Sequence, residues 1–312
     1  MALVPKSLLV AADIDRSFFA RARNDDRFAI VHQPVRTEDE LAAVIGDAQI
    51  LVTRAYNKVT RRVIENAPRL ELIAQGTSGI DNIDSDAARE RGIAIINLPG
   101  ANANAVAELV IGFMIAMTRT VPFYTREVAA GRFERDDCAT RHELHHHALG
   151  IVGHGQVGSR VARLARAFGM HVRAYDPYIS DFGESERVDS LAELIAKSDI
   201  LTLHVPLSAE TRKMIDVAAM KRGSYLINAS RGEVLDQNAA LRALQSGQLA
   251  GLALDVFDPE PPVEGFPDDP RLILTPHIGG CSFECKADIG AMLYEKIAGF
   301  YRTDKTDRTY RS

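Results

Sequence analysis

The residues with the clearest chemical potential form a glycine run, Gly153-His154-Gly155-Gln156-Val157-Gly158. Its spacing is GxGxxG. Gly153 permits a tight turn, Gly155 lets a pyrophosphate approach the backbone, and Gly158 lets a helix pack against a strand. The apolar run Leu149–Val152 precedes it, and a helical pattern over Val161, Ala162, Ala165 and Phe168 follows. The helix N-terminus then offers free amides and the positive end of the helix dipole to a phosphate. Eighteen residues past Gly158, Asp176 ends the next strand. A carboxylate there accepts the ribose hydroxyls and repels a 2′-phosphate, so the pattern predicts NAD rather than NADP.

A second motif competes. His142-Glu143-Leu144-His145-His146 spells HExxH, the zinc-hydrolase pattern. That chemistry needs both histidines on one helix face with a third ligand beyond. The strand beginning near Leu149 leaves such a helix little room, so the stretch reads as a solvated linker and no metal is expected. Cys138, Cys281 and Cys285 read as reduced thiols. Cys281 and Cys285, at i and i+4, could face each other on a helix, but no further ligands stand near them. Asn228-Ala229-Ser230 matches a glycosylation sequon, read as coincidence in a chain with no export signal.

The elements that must position these residues alternate along the chain. Strand-like bursts at Ser7–Val10, Phe28–Val31, Ile50–Thr53, Leu70–Ala74 and Ile93–Ile96 are separated by helix-like Arg16–Arg23, Glu38–Ile45, Arg61–Asn66 and Ser85–Arg91. Thr37 with Glu40 makes a capping box. After Pro99-Gly100 comes a helical pattern over Ala103–Thr118. A second alternating series follows, with strands at Leu149–Val152, His171–Tyr175, Ile200–Val205, Tyr225–Asn228, Gly251–Val256 and Leu272–Thr275. This order predicts an α/β protein with parallel sheets and a doubly wound dinucleotide domain. Ala287–Phe300 reads as a last helix, and Arg302–Ser312 as a polar, fraying end.

Three downstream blocks complete the picture: Asn228 to Asp236, Asp255 to Pro262, and Thr275 to Gly280. With the glycine loop they resemble the D-isomer-specific 2-hydroxyacid dehydrogenases, over about Arg54 to Gly290. The resemblance is to the phosphoglycerate and glyoxylate/hydroxypyruvate branch. It implies a catalytic trio. His277 would be general acid in reduction and base in oxidation, because an imidazole can give and take a proton near neutral pH. Glu260 would hold its other ring nitrogen and favour the imidazolium. Arg231 would bind the carboxylate and ketone oxygens of the 2-oxo acid through its planar fork and stabilise developing charge. Taken singly, each has a plain structural reading: a loop histidine, an exposed acid, a turn-capping arginine.

Further roles are implied in the same way. Ser78, Gly79 and Ile80, in Gly76-Thr77-Ser78-Gly79-Ile80-Asp81-Asn82, would cradle the substrate carboxylate with backbone amides. Arg54 matches a substrate-facing arginine of the phosphoglycerate branch. Gln156 and Val157 would contact the pyrophosphate, and Val205 and Pro206 the adenine edge. Asp255 would accept from the nicotinamide amide. Ser78, Thr211, Ala229, Ser230, Arg231, His277, Gly279 and Gly280 complete the cofactor contacts. The family fold implies a Rossmann-type NAD-binding domain, 100–283, inserted into a smaller flavodoxin-like substrate domain, 1–99 and 284–312, with the active site in the cleft between them. Ala103–Thr118 and the arm after it resemble the segments by which these proteins form homodimers, and the apolar stretch Val110–Met117 reads equally as domain core. No regulatory domain is expected after Ser312.

Composition narrows the partners. The 312 residues suggest about two domains. Hydrophobic residues at 46% exclude a disordered chain, and a net charge of −5 lacks the field of a nucleic-acid binder. The longest apolar run, Leu109–Met117, is well short of the ~20 residues of a membrane span. The expected setting is cytoplasmic, with a small 2-oxo or 2-hydroxy acid as partner. The alternative from another class is an NAD-sensing, non-enzymatic protein of the corepressor type, since such proteins resemble the same family.

Overall fold

The computed structural model describes residues 4–135 and 138–302, so the expected polar end past Arg302 lies outside the described residues. The chain divides into two compact units, Met1–Asn102 with Ser282–Ser312, and Ala103–Cys281. The divisions follow Asn102 and Cys281, where Pro99 and Phe283 had been expected to close their segments. Both coincide with helix starts: a helix begins at Ala103, and the Ser282 side chain accepts from the Cys285 amide to cap another.

The first unit carries a parallel sheet of β1 (Lys6–Val10), β2 (Phe28–His32), β3 (Ile50–Thr53), β4 (Leu72–Gln75) and β5 (Ala94–Ile96). Its order is β2-β1-β3-β4-β5, the flavodoxin-like arrangement. Strands β3 and β4 are buried throughout, which is why they read as unbroken apolar runs. The crossovers are α1 (Arg16–Ala22), α2 (Glu38–Val44), α3 (Arg61–Glu65) and α4 (Ser85–Glu90). Side chains of Asp15, Thr37, Thr60 and Asp84 cap them, with the Thr37–Glu40 box intact. In such sheets the loops at the carboxyl ends of the strands are the binding loops. Here they include Arg54 after β3 and Gly76–Ile80 after β4.

The second unit opens with α5 (Ala103–Thr118) and α6 (Val121–Ala129). Its sheet contains β6 (Ala148–Val152), β7 (His171–Tyr175), β8 (Glu186–Arg187), β9 (Ile200–Leu203), β10 (Ser224–Asn228), β11 (Leu249–Leu254) and β12 (Leu272–Leu274). The order β12-β11-β10-β9-β6-β7-β8 is that of a doubly wound Rossmann sheet, with the chain reversing between β6 and β9. Helices α7 (Gln156–Ala167), α8 (Leu191–Lys197) and α9 (Gln237–Gln245) cross between strands. The last helix, α10 (Phe283–Phe300), belongs to the first unit and packs on α1. A Cβ at Gly290 would lie 2.4 Å from Ser17 Oγ, so only glycine admits this approach. Among the described residues no single helix is long and apolar enough to cross a membrane.

Candidate active site

The glycine loop follows β6 at the point where the sheet order reverses. Gly153 has φ +89°, and a Cβ there would come 2.7 Å from the His204 carbonyl oxygen. A Cβ at Gly158 would sit 2.1 Å from the Gly153 oxygen, so the third glycine lets α7 close onto the loop. At Gly155 a Cβ would meet nothing within 4 Å. Gly155 also caps α7 with no side-chain hydrogen bond, so the first-turn amides of Gln156, Val157 and Gly158 are not taken by a capping side chain. Open space over uncapped helix amides fits a dinucleotide pyrophosphate.

Asp176 is oriented by the backbone. Its Oδ2 accepts from the His154 amide at 2.9 Å and its Oδ1 from the Tyr178 amide at 3.0 Å. His154 is a residue that reading by motif passed over. The residue is 7% exposed, and its ring stacks on Phe182 and meets Ser185 Oγ at 3.1 Å. Burial pushes its pKa down, so the neutral ring serves as the underside of the loop. Beyond β9, Thr211 Oγ1 accepts from the Ser208 amide and donates to the Pro206 carbonyl, closing the turn that follows Val205.

Arg231 stands after β10, in a turn fixed by Asn228. That side chain donates to the Arg231 carbonyl at 2.8 Å and accepts from the Ser230 amide and hydroxyl. Asn228 is 1% exposed, so the sequon is a buried turn anchor and offers no glycan site. Arg231 itself donates to the Ser230 carbonyl at 2.8 Å. Gly232 explains the Arg-Gly pair: a Cβ there would lie 1.8 Å from the Phe257 carbonyl oxygen. The Arg231 turn is thus pressed against the backbone of the loop that carries Glu260.

Glu260 and His277 meet directly, Oε1 to Nδ1, at 2.6 Å. Burial pushes the Glu260 carboxyl up. The hydrogen bond and charge of His277, the Phe257 amide and the charge of Arg231 outweigh it and hold the carboxyl below its usual range. The pairing leaves His277 Nε2 without a partner among the described residues. His277 sits at φ +54°, a sparsely populated conformation for a side chain of its size.

Asp255 supplies what holds it there. Its Oδ1 accepts from Thr275 Oγ1 at 2.5 Å and from the Ile278 amide at 2.8 Å, and its Oδ2 from the Gly279 amide at 2.8 Å. The carboxylate is 1% exposed and clasps the loop on both sides of His277. A Cβ at Gly279 would stand 2.9 Å from Oδ2, so glycine is needed for the clasp to close. Thr275 was not singled out by motif. Its signal was only its place in the Thr-Pro-His block.

In the first unit, the Ser78 hydroxyl shares its one hydrogen between the Leu98 carbonyl at 3.0 Å and Asn102 Oδ1 at 3.1 Å, anchoring the turn that also contains Gly79 and Ile80. The backbone of Arg54 is held from both sides, its amide by Asn57 Oδ1 and its carbonyl by Asn82 Nδ2.

Two chemical alternatives meet the geometry. The HExxH letters do not lie on one α-helix: only Leu144–His146 are helical, as a single 3-10 turn. Glu143, His145 and His146 come together as an exposed group instead. Cys281 and Cys285 do not share a helix face either, since Cys281 precedes α10 and is exposed while Cys285 is buried.

Residues 111–279 match the model of the D-isomer specific 2-hydroxyacid dehydrogenase, NAD binding domain. The chain belongs to that family. It is 40% identical to a D-3-phosphoglycerate dehydrogenase of Methanocaldococcus jannaschii, over 84% of this chain and 51% of the relative. The chain therefore spans about half the length of that relative. It is 37% identical to a hydroxypyruvate reductase of Thermotoga maritima, over 83% of this chain and 87% of the relative. Among solved structures it resembles the D-lactate dehydrogenase of Aquifex aeolicus complexed with NAD and lactic acid, with TM-score 0.83 and 29% identity, covering 95% of this chain and 96% of that one. All three are named as dehydrogenases or reductases.

Proposed function

We propose that the protein is an NAD-dependent oxidoreductase that interconverts a small D-2-hydroxy acid and its 2-oxo acid. The carrying observation is the 2.6 Å pairing of His277 with Glu260, on a loop locked to the Arg231 turn. NAD, when bound, accepts or supplies the hydride at the substrate carbon. In reduction, His277 gives the proton from Nε2 to the carbonyl oxygen, and in oxidation it takes it back. Glu260 keeps the ring oriented and balances its charge. Arg231 holds the substrate's oxygens and stabilises charge gathering on the ketone. The amides of Ser78, Gly79 and Ile80 take the carboxylate, and Arg54 a further anionic group where the substrate has one.

On the cofactor side, Gly153, Gly155, Gln156, Val157 and Gly158 hold the pyrophosphate and Asp176 the ribose. Val205, Pro206 and Thr211 flank the adenine. Ala229, Ser230, Gly279 and Gly280 line the nicotinamide end, with Asp255 fixing that loop. Exposed apolar side chains on α6, among them Val121, Phe123 and Val128, suit the proposed homodimer contact. A cytoplasmic setting accords with free cysteines throughout.

The deciding assay is NADH oxidation with glyoxylate, hydroxypyruvate, pyruvate, phosphohydroxypyruvate and a bulky 2-oxo acid. Tight NADH binding with no turnover on any of them would reject the enzymatic reading. Asp176→Ala is expected to lower the preference for NADH over NADPH by about tenfold or more, since the repelling carboxylate is gone. An unchanged ratio of kcat/KM values would remove Asp176 from that role.

Glu260→Gln keeps an acceptor for the ring but removes its charge, and turnover should fall by about 10- to 100-fold. The wild-type carboxyl is held low, so its ionised form persists below the usual carboxylate range and is lost only as pH falls through the lowered value. Titration of Glu260 should therefore contribute no decline in reductive kcat/KM between about pH 7 and pH 5. A single-group decline that lies in this interval and vanishes in Glu260→Gln would contradict the assignment.

A further inference from the structure

Gln75 ends β4 and is fully buried, yet its partners lie in the loops that follow β3 and β4. Its Oε1 accepts from Thr53 Oγ1 at 2.6 Å. Its Nε2 presents two hydrogens to three acceptors: Asn82 Oδ1 at 2.8 Å, Thr77 Oγ1 at 2.9 Å and, at 3.2 Å, the Gly79 carbonyl, which also accepts from the Thr77 hydroxyl at 3.0 Å. Asn82 passes the connection on, donating from Nδ2 to the carbonyls of Asn57 at 2.7 Å and Arg54 at 3.2 Å. Asn57 in turn donates to the carbonyls of Ala11 and Val35 and accepts from the Arg54 amide.

These amides have one consistent orientation. Backbone carbonyls only accept, so the nitrogens of Asn57 and Asn82 must point at them. Asn82 Oδ1 is thereby turned toward Gln75, which must answer with its nitrogen and leave Oε1 for the Thr53 hydroxyl. A buried network satisfied in one arrangement specifies that arrangement. What it specifies is the turn bearing the Ser78–Ile80 amides together with the backbone of Arg54. Among the described residues no hydrogen bond or ion pair engages the Arg54 guanidinium.

We propose that Gln75 is a positioning residue for substrate binding, acting through Thr77, Gly79 and Asn82 to hold the carboxylate turn and Arg54 in register. The proposal rests on the reading that these groups take the substrate's anion. A glutamine that merely filled the core would affect stability, but it would not single out the affinity for the 2-oxo acid.

The test uses Gln75→Leu and Gln75→Glu, with Thr53→Val as a milder variant that removes only the donor to Oε1. Glutamate matches the shape but sets an acceptor against the Gly79 carbonyl and Asn82 Oδ1. With the best 2-oxo acid of the panel, KM should rise about tenfold in Gln75→Leu and Gln75→Glu, while kcat stays within about twofold, and KM for NADH is unchanged. Thr53→Val should raise it less. In an Arg54→Ala background the Gln75→Leu effect should be less than additive, because both act on one binding arrangement. Hydrogen exchange supplies a readout independent of catalysis: amides of residues 76–84 should exchange about tenfold faster in Gln75→Leu, with β1 unaffected. A KM within twofold of wild type, or kcat and NADH affinity falling together with it, would overturn the proposal. If wild-type protein reduces no 2-oxo acid, the functional reading fails by itself, and unchanged exchange over 76–84 would then overturn the positioning role.

Discussion

Replacing His277 by alanine should lower kcat for 2-oxo acid reduction by about 10²- to 10⁴-fold while NADH affinity stays within about threefold. The split follows from where the ring is held. Its Nδ1 is spent on Glu260 at 2.6 Å, and Nε2 has no protein partner among the described residues. The side chain therefore adds little to the loop's own stability. The loop is kept by the Asp255 carboxylate, whose three contacts go to Thr275, Ile278 and Gly279 and none to the imidazole. Alanine at 277 leaves that clasp intact, so the cofactor side of the site should survive. It even eases a residue at φ +54° only slightly, since alanine also prefers negative φ. Steady-state kinetics with NADH fluorescence titration separate the two quantities. Equal losses of turnover and NADH affinity would make the residue structural.

What the sequence made readable is uneven, and the reason is physical. The glycine loop was legible in its letters because steric demands on backbone are local: Gly153 and Gly158 are required by atoms within reach of a missing Cβ. The parallel sheets followed from alternation of apolar runs with helices, since parallel strands need crossovers, whereas the flavodoxin-like arrangement came from the resemblance. One short element escaped: the strand β8 has two exposed residues, so it carries no apolar signal. β11 runs from Leu249 to Leu254, two residues ahead of the Gly251–Val256 reading; the Asp255 amide still bonds the Asn228 carbonyl while its side chain turns to the His277 loop.

The roles proposed for Arg231, Glu260 and His277 were legible only through resemblance. No local pattern says that residues 17 apart will share a proton at 2.6 Å. The supporting carboxamides of Asn57, Gln75, Asn82 and Asn228 were invisible for a related reason. An Asn or Gln carries no sign of its partners in the sequence, and only the folded strand ends show that each is buried or half-buried and hydrogen-bonded. Asp255 was assigned to the cofactor alone, whereas its geometry makes it the anchor of the catalytic loop.

Gly232→Ala should be nearly as damaging to catalysis as loss of a catalytic side chain, although it removes no functional group. A Cβ at 232 would lie 1.8 Å from the Phe257 oxygen and 2.1 Å from its carbonyl carbon. Both are backbone atoms, so no side chain can swing aside. The two loops must part by roughly 1 Å or more to restore van der Waals contact, and a misplacement of that size costs about 10² in rate. The separation falls between Arg231, whose turn Asn228 pins, and Glu260, whose amide contact is at Phe257 itself. Substrate grip and proton donor would thus be moved relative to each other while each remains present. The expected result is a fall of about 100-fold in kcat/KM for the 2-oxo acid, with NADH binding changed far less. Overpacking should also cost about 1–3 kcal/mol of stability, read by denaturant unfolding. A Gly232→Ala protein with kcat/KM within about fivefold of wild type would mean that alignment of Arg231 with the Glu260–His277 pair tolerates a shift that oriented catalysis does not.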